Sequence, residues 1–530
     1  MVFVPPFLSR RSIILIVAQL TLFLGAEFQS VVRADEATIP RPSPRAIHLI
    51  GDEMVTFDGQ STPVPGRKLD RSLGTEDFTI GLSFQADTNS RWDLGDLISL
   101  WDAKTRHGFS LGLRNNTGST TSQANWRQLQ FGIDAGTEPE WRDEGRPGSA
   151  ILGFSMAVHD GHLYVGTCEP RADQPGSVYR YLGPGQWKSL GSPDGSNSVS
   201  AMASFNGQLY IGTGKYRLAG SSLPESNNPT VGGKIYRLLD NDQWELVGDL
   251  APTEAIAGLV NFDGKLFASS LYAPAGFFRY EGGTQWTTLP TPDGKRVEPL
   301  AVHGGALYAG SYDGGHVYRF DGTAWEDLGL VAPDITQTYS FATYQGALHV
   351  STWPAGKVYR LDPSDRWIDA GRLGQELEVM GMLVHNGVFY AGTLPLAEVY
   401  RHEGGTTWKR LAQLDTTPDV RYRRVWTMAT FQGRLFATTL PSGKVWSMAA
   451  GKMVTDDREL SPGWHDIVAQ RKAGKLRLFV DGALAAESDD DDLHLNTQGL
   501  ELRIGEGPRG RFVGQLRDVW LDMDSESPRP

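Results

Sequence analysis

The chain has 530 residues, 40% of them hydrophobic and 21% charged, with a formal net charge of −12. That is a globular composition with material for more than one core, and its acidity argues against nucleic acid or anionic membrane surfaces as partners. A single cysteine, Cys168, excludes an intramolecular disulfide, so stability must come from burial. No motif marks Cys168 as reactive, and it reads as a small strand-end residue.

The N-terminus reads as an export signal over 1–34. Arg10 and Arg11 precede the apolar run Ile13 to Ala26, and Val32-Arg33-Ala34 offers small-residue cleavage chemistry. Ser9-Arg10-Arg11 matches a twin-arginine signal in part, and a retained anchor is the alternative to cleavage. The run is short for a bilayer span, so no membrane insertion is expected once the signal is removed. The expected location is secreted, periplasmic or cell-surface.

Alternating strands follow in 46–134: "DFTIGLSFQA", "LISLWDAK", "GFSLGLRNN" and "RQLQFGIDAG". Within them, Asn115-Asn116-Thr117 matches a glycosylation sequon. From 135 to 450 one unit recurs seven times. Its first anchor is a glycine followed by an apolar-aromatic strand, as in "GHLYVGT" and "GQLYIGT". The glycines are Gly161, Gly207, Gly264, Gly305, Gly346, Gly387 and Gly433, separated by 46, 57, 41, 41, 41 and 46 residues. The second anchor is the "VYRY" type. The third is a tryptophan: Trp187, Trp244, Trp286, Trp325, Trp367 and Trp408. Four short strands, a to d, in about forty residues make the period of a propeller blade. The seventh unit ends at "GKVWSM" without strand d, and "EPEWRDEGRPG" at 138–148 supplies Trp141 ahead of the first. A ring must not leave open sheet edges, so Trp141 is expected to complete blade seven. Strands of the earlier kind resume at 455–522, with a tail at 523–530. "GWHDIVAQRKAGKLRLFVDGALAAES" there reads as a hairpin followed by a second tight turn at Asp481-Gly482.

The segments 46–134 and 455–522, with Trp464-His465 opening a strand, "LRLFVDG" and the closing "FVGQLRDVWL", resemble the laminin-G-like, concanavalin A-like lectin and glucanase superfamily. The resemblance implies one jelly roll split by the repeats. The expected fold is all-β: a seven-bladed β-propeller inserted into a concanavalin A-like jelly-roll sandwich. The blades resemble kelch and sialidase-type propellers in general form. Because the jelly roll occupies a c–d turn of blade seven, it should cover the face of a–b and c–d turns. The face of b–c and d–a loops should stay free.

That free face carries the candidate ligand-binding residues Arg296, Gln337, Tyr339, Trp353, Arg424, Trp426, Tyr272 and Tyr312, with Glu254, Glu298 and Glu378 as the carboxyls an enzyme would use. Aromatic faces stack sugar rings and charged groups bridge hydroxyls; the same charges can equally pair among themselves. The repeated Arg180, Arg237, Arg279, Arg319, Arg360 and Arg401 read as a structural contact rather than a sialidase-type cluster. His159, His303 and His385 share one repeat position in different blades, too far apart for one metal. The E-x-D-x-x-E pair of glucanases is absent. Asp489, Asp490, Asp491 and Asp492 could hold calcium, the one cofactor the sequence offers, or form a solvated loop. The functional expectation is a non-catalytic binding protein for glycans or other extracellular and cell-surface ligands. The alternatives are a glycoside hydrolase or polysaccharide lyase with a propeller catalytic domain, and a structural envelope component.

Overall fold

A computed structural model describes residues 39–523; the expected signal segment 1–34 and nearly all of the tail lie outside them. Among the described residues no helix is long and apolar enough to cross a membrane.

The repeats fold as seven sets of four antiparallel strands: blade one at 152–189, two at 198–249, three at 256–289, four at 300–330, five at 337–372, six at 378–413 and seven at 424–449. Blade seven takes its fourth strand from Glu140–Asp143, which pairs with Val445–Ala449 and sets Trp141 opposite Met448. The innermost strands, from Leu152–His159 to Arg424–Phe431, pack each against the next and the last against the first. The result is a closed ring of seven blades, the arrangement of a β-propeller.

The anchors explain themselves locally. Each anchor glycine is the second residue of an a–b turn whose first residue is also left-handed, as in Asp160-Gly161 at φ 43° and 74° and Asn386-Gly387 at 46° and 75°. Positive φ at both positions is the type I′ hairpin turn, which matches strand twist. The strand-d tryptophans tie neighbours together. Trp187, Trp244, Trp286, Trp325 and Trp408 each donate their indole N–H to a main-chain carbonyl of the preceding blade, at 2.9–3.0 Å. For Trp187 that acceptor is Glu144, in the segment that completes blade seven. The repeated arginines do related work further out: Arg180 reaches Asp242, Arg319 reaches Asp365 and Arg401 reaches Glu138, each on the following blade. The three equivalent histidines face Ser204, Thr343 and Thr430 of their following blades. Burial holds His385 down at about 3, so it is neutral.

The flanking segments form a seven-stranded and a six-stranded antiparallel sheet around one shared core that includes Phe84, Leu111, Phe131, Ile467, Leu478 and Leu516. Both sheets mix the two ends of the chain. Phe78–Ala86 lies between Val513–Asp522 and Trp464–Lys472, and Asn125–Ala135 pairs with Lys452–Asp456 across the whole repeat region. This two-sheet module rests on the a–b turns. Gly161 and Gln432 donate to Asp457, Gly305 to Arg91, Gln345 to Pro508, and the Asn386 amide to Ile133.

One hairpin of the module enters the ring. Its tip, 115–125, bonds the innermost strands of six blades. Ser122 Oγ accepts from Met156, Gln123 donates to Met202, and its side-chain oxygen accepts from Asn261. Thr117 Oγ1 accepts from Val302, Gly118 O from Phe341, and Ser119 Oγ from Met428. Those N–H groups would otherwise be buried without partners. Gly118, at φ 74°, sits where a Cβ would lie 2.7 Å from the Ala301 side chain. The Asn115 sequon reading is thereby overturned: Asn115 is 3% exposed, with its amide bonded to Trp92 O and its oxygen to Arg127 N.

In the aspartate run, the Asp491 side chain is fully buried against Arg471, Oδ1 to Nη2 2.5 Å, and accepts the Leu493 N–H as well, while Asp490 points outward near Lys475. Among the described residues no three His, Cys, Asp or Glu side chains converge to hold a metal.

Candidate functional site at the channel mouth

With the hairpin filling the channel from the module side, the opposite mouth is built from the d–a entries and b–c loops. Its floor is buried and charged. Glu298, two residues ahead of the inner strand Leu300–His303 of blade four, and Glu378, which opens that of blade six, are each 1% exposed; Arg424 opens the inner strand of blade seven and is 5% exposed. The Glu298 carboxylate lies 3.6 Å from Arg296, and Glu378 lies 3.6 Å from Arg424 Nε. Neither distance is a hydrogen bond. Both Glu298 oxygens, Glu378 Oε1, Arg424 Nε and Trp426 Nε1 are buried without hydrogen-bond partners. Burial therefore drives the Glu298 carboxyl well above the usual carboxylate range, against the pull of Arg296 and Tyr312. It raises Glu378 too, against Arg424 and Tyr339.

Rings form the walls. Tyr312 and Tyr339 sit 4.6 Å apart, centroid to centroid, and both phenols feel Glu298 and Glu378, so the two carboxyls surround one aromatic pair. Trp426 packs against Phe154 at 4.9 Å and Tyr216 at 5.9 Å. Tyr339 donates to the Gln337 side chain. Trp353 stands partly exposed at the rim, edge-on to Tyr422 at 6.3 Å.

Two of the expected residues are committed elsewhere. Arg296 grips Asp313 through Nε and Nη2 at 2.6–3.1 Å, and this pairing holds Asp313 below its ordinary range. Glu254 lies outside the floor, paired at 2.6 Å with Arg217, which itself stacks 4.4 Å over Tyr272. The Tyr272 hydroxyl accepts the Arg217 backbone N–H.

The sequence reading missed the segment 215–233, which lies over the mouth. Ser221 is fully buried, accepts from Arg424 Nη1 at 2.7 Å, and bonds the Tyr216 hydroxyl at 2.7 Å. Glu225 holds the short 3₁₀ turn Leu218–Ser221 by accepting the Leu218 and Ala219 N–H groups. The signal was present: the separation of 57 between Gly207 and Gly264 is the longest in the repeat. Cys168 lies buried in the same apolar cluster as Trp426, its thiol pushed well up by burial, which leaves it unreactive.

Chemically, the mouth offers acceptors and a guanidinium N–H without hydrogen bonds beneath a tilted pair of tyrosine rings. A ligand bearing several hydroxyls satisfies both kinds of group at once.

No protein-family model matches the chain, and no curated protein matches it. Among solved structures, virginiamycin B lyase from Staphylococcus aureus aligns at 9% identity and a TM-score of 0.46, covering 59% of this chain and 99% of that one. A streptogramin B lyase structure aligns at 11% and 0.46, covering 59% and 98%. BamB from Moraxella catarrhalis aligns at 14% and 0.37, covering 69% and 96%.

Proposed function

We propose that the protein is an exported, non-catalytic binding protein that takes glycans at the channel mouth, and that its two-sheet module is a laminin-G-like jelly roll. The observation that carries this reading is the set of buried, unpartnered polar groups on Glu298, Glu378 and Arg424 below partly exposed tyrosines. Buried polar groups without partners are costly, and a hydroxyl-rich ligand supplies what they lack. The jelly-roll reading is supported by two sheets on one core that draw strands from both flanks of the repeats. Export is supported by the apolar run after Arg10-Arg11. A glycan array covering neutral and acidic oligosaccharides tests the proposal. The wild type should retain at least one glycan, and Trp353→Ala and Tyr339→Ala should each weaken it about tenfold, the loss of roughly 1.4 kcal/mol. An empty array, or variants that bind as the wild type does, overturns the reading.

One observation favours a second reading, a glycoside hydrolase or lyase: burial raises the proton affinity of the Glu298 carboxyl, the direction a general acid requires. Polysaccharides cleaved by the wild type and spared by Glu298→Gln would replace binding with catalysis.

A further inference from the structure

A second cavity lies on the other side of the ring. It holds about 620 Å³ where the two-sheet module meets the a–b turns of blades four and five. Trp92 and Trp101, both partly exposed, stand in its wall; Gln60, Gln345, Arg503 and Glu506 supply polar groups. Pockets of this size suit small organic ligands. Two indoles with amide and charged side chains around them offer flat apolar faces beside donors and acceptors.

The charges in this cleft are already matched. Arg503 pairs with Glu506 at 2.8 Å and with Glu501 at 3.4 Å, and Arg511 pairs with Glu506 at 3.4 Å. Asp93 pairs with His303 at 3.2 Å. Neither arginine of the cleft wall lacks a carboxylate partner, which favours an uncharged ligand there. Both walls are held in place by hydrogen bonds between the module and the blade turns. Arg91 grips Asp263 and Gly305 donates to Arg91 O, which fixes the segment before Trp92; Gln345 donates to Pro508 O, which fixes the opposite lip. Trp101 is packed against the Gly387 turn, where a Cβ would lie 2.9 Å from its ring. A preformed site loses little freedom on binding.

We propose that this cleft binds a neutral oligosaccharide, its sugar rings on Trp92 and Trp101 and its hydroxyls on Gln60, Gln345 and the Arg503–Glu506 pair. The inference rests on the glycan reading above and adds a separate site and a ligand class. Calorimetric titration of the intact protein with neutral tetrasaccharides of glucose, mannose and xylose, and with an acidic heparin-derived tetrasaccharide, tests it. A neutral tetrasaccharide should bind the wild type. Trp92→Ala should weaken it tenfold or more and Gln345→Ala several-fold, and heat from a neutral tetrasaccharide should persist in the mouth variant Trp353→Ala. Gln345 is exposed, so its variant keeps the test valid if Trp92→Ala unfolds. A neutral sugar lost in Trp353→Ala and kept in both cleft variants overturns this inference and leaves the mouth reading standing. Preference for the acidic tetrasaccharide, or no heat with any neutral one, overturns the cleft site alone.

Discussion

Glu169 shows how much of this molecule's electrostatics depends on depth. It begins the b–c loop of blade one at 2% exposure, with Ser149 Oγ as a hydrogen-bond donor at 2.9 Å. Burial outweighs that bond and the nearby Arg146 and Arg171, and raises its carboxyl from 4.5 to about 7. A carboxyl whose folded pKa lies above its unfolded value binds its proton more tightly when folded. Its contribution to stability is therefore complete below about 4.5 and is lost as pH climbs through about 7. The shift corresponds to roughly 3 kcal/mol at most. Glu376, raised to about 7, adds to the same slope. Denaturant unfolding at pH 5 and pH 8 should show Glu169→Gln gaining about 1–3 kcal/mol on the wild type as pH rises between the two. Equal pH dependence in both proteins would refute the assignment. None of this was legible in the residues themselves. The sequence marks Glu298, Glu378 and Arg424 as charges at a mouth because they fall at strand entries. It does not say that they are buried, or that Glu254 instead meets Arg217 at the surface. Depth is a property of the closed ring, and so is the fate of Asn115, a surface sequon by its letters and a buried hairpin residue in fact.

At the scale of elements the balance reverses. The a–b turns were visible as spaced glycines because a type I′ turn requires positive φ, and the strand-d tryptophans were visible because five of them bond the preceding blade. The long spacing in blade two was visible as a number, without the buried 3₁₀ turn that it pays for. The hairpin tip 115–125 carried no signal, since Ser, Thr, Gln and Asn between two strands also describe an exposed turn. Its role comes from open inner edges that only ring closure creates. Gln123 illustrates the role. Its amide donates to Ser204 O at 2.9 Å in blade two, and its oxygen accepts from Asn261 N at 2.8 Å in blade three. Gln123→Ala leaves a buried carbonyl and a buried N–H without partners, and each such group costs about 1–3 kcal/mol. The variant should lose about 2–4 kcal/mol in chemical denaturation. It should also exchange the Asn261 amide faster, with the Phe341 amide, held by Gly118, unchanged. A loss below about 0.5 kcal/mol would mean that water replaces the amide in the channel.

For the whole molecule the decisive joint is where the ring closes, because the two-sheet module is continuous with it on both sides. The clasp segment is short, Glu140–Asp143, and its strength is concentrated in the residue that follows it. Glu144 is fully buried. Its carboxylate accepts from Arg142 at 2.6 Å and from Ser447 within blade seven, and from the Tyr181 hydroxyl of blade one, while its carbonyl takes the Trp187 indole N–H. One side chain thus ties first blade to last, and the tie differs in kind from the other six junctions, where the chain itself runs on. Glu144→Ala removes the acceptor from three donors, two of them buried hydroxyls, and leaves the backbone pairing in place. Loss of a buried charged acceptor costs about 3–5 kcal/mol. The position of the damage is the stronger test. Hydrogen–deuterium exchange should rise first in Glu140–Asp143 and Val445–Ala449, then in the adjoining strand Val178–Gly183, and leave blades three to five at wild-type rates, because an opened ring frays from its free ends. The module strands Asn125–Ala135 and Lys452–Asp456 should stay protected, since they pair with each other and hold both ends of the repeat region together after the clasp has opened. Uniform acceleration across all seven blades would show instead that the ring unfolds as one unit and that closure at Glu144 is no weaker than any other junction.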